Sequence, residues 1–151
     1  MFREPSHSGM RCGLFAALVA GSLAATATVI AQAPARAPPS VLFSAPLADA
    51  PGKQLVVVEL KFAPNPAPPS TLDSHPAGHR HPGSVYVHVT EGAVRLAIEG
   101  RPVQVVEAGG SFFEPPGAHH IITENASSTE PARAIAVMIV PDGAPLTTRD
   151  E

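Results

Sequence analysis

From Gln54 to Val140 the sequence is broken into short apolar runs, each closed by glycine or proline, and this punctuation leaves no room for long helices. "QLVVVELKF" places Val56, Val58, Leu60 and Phe62 on one face and Glu59 and Lys61 on the other. "SVYVHVT" follows, then the turn "EG", then "AVRLAIEG" with Val94, Leu96 and Ile98 on one face. "RPVQVVEAGG" ends in a double-glycine turn, and "SFFEPPGAHHIITENAS" is interrupted by Pro115, Pro116 and Gly117. The last run, "ARAIAVMIV", is almost continuously apolar, which predicts a strand covered on both sides. No window keeps a period of 3.6 residues, and the 18 prolines point the same way. Regular strand spacing with marked turns predicts a small all-β antiparallel sandwich or barrel.

At 151 residues the chain is sized for one domain. Arg3 and Arg11 precede an uncharged stretch, Cys12 to Ala33, that contains the triplets "ATA" and "AQA". A basic start, an apolar middle and A-x-A endings read as a cleavable signal peptide over residues 1–33, in preference to a membrane anchor. Pro34 directly after "AQA" leaves the cleavage point open. The expected location is therefore periplasmic or secreted, with no membrane contact after cleavage. Cys12 is the single cysteine, so the mature chain would hold no disulfide. Residues 34–52 read as a linker, opening on "PARAPPS", and a first edge strand. The barrel is expected over 53–145 and a tail over 146–151. A net charge of −3 argues against a nucleic-acid partner.

Six of the seven histidines fall between His75 and His120. In an extended segment, residues i and i+2 project to the same side, so His79 and His81 of "GHRHPG" can aim both imidazoles at one point. Two neutral nitrogen donors in that arrangement suit a metal ion. A further histidine must come from elsewhere, and "EPPGAHH" offers His119 and His120 behind a stiff Pro-Pro-Gly turn.

"GHRHPGSVYVHVTEG" resembles the first motif of the cupin superfamily, an H-x-H, a spacer and a strand ending in glycine. "GGSFFEPPGAHH" resembles the second, a glycine, five residues, then P-x-G-x-x-H. The resemblance extends from about Gln54 to Val140. It implies a double-stranded β-helix, or jelly-roll barrel, with a divalent metal in its mouth, and it makes a homodimer the expected assembly. Residue by residue it places the third metal-binding imidazole on His120, so the implied metal set is His79, His81 and His120. The first motif ordinarily carries a glutamate four residues after its second histidine, where this chain has Val85. Three neutral imidazoles leave a divalent centre at +2, a stronger Lewis acid than one with a carboxylate ligand.

The other titratable groups read differently. In "SVYVHVT" the valines share one face and His88 the other, which puts His88 outside the barrel. His75 reads as an exposed loop residue. His119 and Arg80 alternate with the proposed ligands and should point away from them. Glu114, directly before the Pro-Pro-Gly turn, is the candidate catalytic residue, placed at the pocket rim as a proton acceptor or a partner of a ligating histidine. "NAS" at Asn125 fits a glycosylation acceptor sequence. There is no nucleophile elbow or phosphate-binding loop. Three functions stay open: an exported enzyme on a small organic substrate, using Fe, Zn, Mn, Ni or Cu; a module holding a small ligand in a barrel lined by Val85, Val87 and Phe112; and a protein that holds metal without turnover.

Overall fold

The computed structural model describes residues 38–71 and 78–149. The signal-like segment, most of the linker and His75 lie outside these residues. Ten strands follow one another: β1 (Ser40–Pro46), β2 (Lys53–Phe62), β3 (His79–Arg80), β4 (Ser84–Glu91), β5 (Ala93–Ile98), β6 (Gln104–Glu107), β7 (Ser111–Glu114), β8 (His119–Asn125), β9 (Ala132–Pro141) and β10 (Thr148–Arg149). There is no helix among the described residues. They form two five-stranded sheets, ordered β1-β2-β9-β4-β7 and β10-β3-β8-β5-β6, with antiparallel pairing throughout. Chain neighbours β4 and β5 sit in different sheets, as do β7 and β8, so the chain winds between layers as a double-stranded β-helix does.

The alternation in the sequence decides which face of each strand is dry. Val56, Val58 and Phe62 of β2, Val85, Val87 and Val89 of β4, and Val94 of β5 are buried in one cluster, with alternate residues of β9. Burying a valine or leucine side chain stabilises a fold by roughly 1.5–3 kcal/mol, so this interior is what holds a chain of so few aromatics together. A smaller cluster of Ala97, Ile121 and Ile122 packs against Val103 on the second sheet.

Strand β9 departs from the expectation of cover on both sides. Ala132, Ala134, Ala136, Met138 and Val140 are buried, whereas Arg133 and Ile139 of the opposite face are exposed. Val137 of that outer face belongs instead to a cross-strand row, Phe43–Val57–Val137–Tyr86–Phe113, that traverses the whole sheet. Phe43, Tyr86 and Phe113 in that row are about half exposed. The chain also continues to build the barrel past residue 145. Leu146 packs against the main core, and β10 pairs with β3 in the stretch expected as a tail.

Candidate metal centre

Strands β3 and β8 bring the first two imidazoles together. His79 and His120 are direct cross-strand partners. Such partners share a sheet face with Cβ atoms roughly 4.5–5.5 Å apart, and the two ring centroids lie 5.1 Å apart. His81, two residues past His79, brings its ring to 4.9 Å from that of His79 in an edge-on arrangement. One ring nitrogen from each of the three histidines lies within 4.8 Å of the others. Two donors each about 2.1 Å from one ion are at most about 4.2 Å apart, so a shift of well under 1 Å would let all three share it.

Two glycines hold these segments in place. The amide of Gly117, in the Pro-Pro-Gly turn with φ +73°, donates to the His81 carbonyl at 2.9 Å, tying one motif to the other. A Cβ on Gly83 would stand 1.8 Å from the Ile139 carbonyl oxygen. Only a residue without a side chain lets the H-x-H segment turn into β4 so close to β9.

Hydrogen bonds orient the rings. The Leu146 carbonyl can only accept, so His81 Nδ1, 2.6 Å away, carries the proton and Nε2 keeps its lone pair. His120 Nδ1 lies 3.2 Å from Glu114 Oε1 and donates to it. Thr123 Oγ1 lies 3.1 Å from His120 Nε2, the nitrogen that keeps its lone pair. Glu114 is 3 % exposed and His120 2 %. Burial pushes the Glu114 carboxyl up, but the hydrogen bond from His120 and the charges of His120, His81 and His79 outweigh it and hold the group below its ordinary value.

The three imidazoles and Glu114 open on a cavity of about 720 Å³ whose other walls include Val58, Phe62, Val87, Phe112 and Met138. That volume and lining suit a small, largely apolar organic molecule. Arg149, the partner of His79 across the β10–β3 ladder, also lines it.

The structure therefore brings His79, His81, His120 and Glu114 to one place, and Val85, Val87 and Phe112 line the cavity. Glu114 does not sit at the rim: it is buried beneath the imidazoles. His88 faces outward and meets Ser111 Oγ at 3.0 Å. His119 approaches Glu99 at 3.2 Å, and Arg80 donates to the Gly117 carbonyl, so both alternate away from the centre. Asn125 is no glycosylation acceptor in this fold. It is 5 % exposed, and its amide nitrogen faces the carbonyls of Phe62, Ala63 and Glu130. Thr123, Leu146 and Arg149 also reach the site, with no signal in the sequence. Thr123 falls three residues after His120, a spacing with no chemical signature, and the other two reach the site through long-range pairing.

Two antiparallel sheets with imidazoles brought together from two segments define a double-stranded β-helix with a candidate metal centre. The cupin-domain family profile matches residues 68–138. Over those residues the chain carries a cupin domain. It is similar to an uncharacterized conserved protein with a double-stranded β-helix domain from Klebsiella pneumoniae, at 21 % identity over 78 % of this chain and 87 % of that one, with a TM-score of 0.54. It is also similar to the DMSP lyase DddQ from Ruegeria pomeroyi, at 19 % identity over 66 % of this chain and 43 % of that one, TM-score 0.44. A third likeness is to hydroxypropylphosphonic acid epoxidase from S. wedmorenis, at 21 % identity over 58 % and 44 %, TM-score 0.42. The first likeness supports the fold, and the chain spans less than half of the lyase and of the epoxidase. No curated protein matches the sequence.

Proposed function

We propose that this protein is a metal-dependent enzyme acting on a small, mostly apolar organic substrate, with one divalent ion held by His79, His81 and His120. The observation that carries the reading is the convergence of three ring nitrogens beside an apolar cavity of about 720 Å³. A protein that only stored metal would have no use for such a cavity. The donors are the borderline nitrogen type that accepts Fe, Zn, Mn, Ni or Cu. When bound, the ion would supply Lewis acidity or, as Fe(II), oxygen chemistry. The residues of the chain hold the imidazoles at fixed orientation, through the Leu146 carbonyl and Glu114, and exclude water with valine and phenylalanine walls.

Elemental analysis of the purified protein tests the ligand set: close to one equivalent of metal per chain is expected, and His81→Ala should lose most of it. Metal content unchanged by that substitution would refute the assignment. Oxygen uptake by Fe(II)-loaded protein with phenolic, thiol and diketone substrates tests the oxygenase form of the reading, and persistent lack of uptake sinks that form.

Export and self-association belong to the same reading. The basic-then-apolar start supports cleavage near Ala33, to be checked by the mass of the protein recovered from the periplasm. The exposed row of Phe43, Tyr86 and Phe113 supports a homodimer, to be checked by sedimentation. No helix among the described residues is long and apolar enough to cross a membrane.

A further inference from the structure

We propose that Glu114 is a fourth protein ligand of the metal, delivered by β7 to the place where Val85 on β4 offers only methyl groups; this deepens the three-histidine reading and rests on it. The ladder supplies the first argument. Val85 and Glu114 are direct cross-strand partners and both are almost fully buried, at 2 % and 3 % exposure. Partners in a ladder share one face with Cβ atoms roughly 4.5–5.5 Å apart. A carboxylate rooted at Glu114 thus enters the interior beside the point where one rooted at residue 85 would enter.

The carboxylate's own contacts supply the second. Burying a charged group is costly unless its oxygens are satisfied. Oε1 is satisfied by His120 Nδ1 at 3.2 Å. Oε2 is buried and has no hydrogen-bond partner. His81 Nε2 lies 3.7 Å from it. The proton of His81 is committed to Nδ1 by the Leu146 carbonyl, so Nε2 presents a lone pair. In the neutral form that metal binding requires, His81 therefore turns a lone pair toward a carboxylate oxygen inside the barrel. A cation relieves that opposition, and a separation of 3.7 Å is what two ligands of one ion can span at about 2.1 Å each.

Charge supplies the third. Three neutral imidazoles leave a divalent centre at +2 in an apolar cavity, and one carboxylate reduces it to +1. A role confined to orienting His120 would occupy Oε1 and leave Oε2 buried for no reason.

The test uses the purified full chain loaded with Co(II) and, separately, Zn(II), with affinity measured by competition against a chromophoric chelator. Glu114→Gln keeps the shape and a hydrogen-bonding oxygen but removes the charge. It should weaken Zn(II) binding by about 100-fold or more and change the intensity of the Co(II) d–d bands, because the coordination shell loses a member. The double variant Val85→Glu with Glu114→Val moves the carboxylate one strand along the same rung. It should recover affinity to within about 10-fold of the parent, and it decides the matter by itself if Glu114→Gln fails to fold. A Co(II) spectrum unchanged in Glu114→Gln, whatever the affinity, overturns the proposal in favour of a positioning role through His120. Failure of the three-histidine reading looks different: His81→Ala would then bind metal as the parent does, and both proposals would fall together.

Discussion

Asn125 shows how far a single residue's role can lie from its local sequence. Its amide nitrogen faces the carbonyls of Phe62, Ala63 and Glu130 at 3.3, 3.1 and 2.8 Å, and its oxygen accepts from the Ser127 amide at 2.9 Å. It clamps the end of β2 to the turn between β8 and β9. Asn125→Ala would strand several buried backbone groups and is expected to cost about 2–4 kcal/mol, read as a lower denaturant midpoint. Expression in a glycosylating host should add no mass at this site. The acceptor tripeptide is legible in three letters; the burial that disables it is not, because it depends on a strand 60 residues away. Glu114 also couples the stability of the fold to pH. Its folded carboxyl lies below the ordinary value of 4.5. Its ionised form therefore stabilises the metal-free fold fully above that value, and the contribution is lost as pH falls through the lower folded one. Denaturation of metal-free Glu114→Gln should show a flatter decline in stability below pH 4.5 than the parent. Parallel curves in that range would contradict the assignment.

Among the elements, the strands with strict alternation were the legible ones. The inward valines of β4 and the outward His88 follow from a period of two alone. Strand β9 misled because apolar residues on its outer face resemble a second buried face, and only the pairing shows that Val137 and Ile139 look outward across the sheet. Strand β10 carries no signal at all, being two residues held by β3. Its importance comes through the segment before it, since the Leu146 carbonyl fixes His81. A chain ending at residue 145 should keep its far-UV circular dichroism but bind Zn(II) about 10–100-fold less tightly, the usual cost of losing such an orienting contact. Unaltered affinity would mean that His81 needs no partner. Gly83→Ala should be worse, because its Cβ meets β9 backbone rather than a movable side chain. The expected result is loss of soluble protein or a cost of about 3 kcal/mol or more.

For the whole molecule, the placement of the centre between layers matters most. His79 and His120 belong to one sheet and Glu114 to the other. An ion bound by groups of both should stabilise the folded state by about 2.7 kcal/mol when free metal stands at 100 times its dissociation constant. Chelator-stripped protein is accordingly expected to melt several degrees lower than reloaded protein, and identical melting curves would speak against a shared ion. The barrel and its two histidine segments were legible from the sequence; the layer from which each donor comes was not, since that is a property of strand order. In the proposed four-ligand arrangement the cation would act as a rivet through two plates. Grip then depends on the gap between the plates, so trimming Met138 or Phe112, neither of which donates to the ion, should loosen it by letting the plates drift.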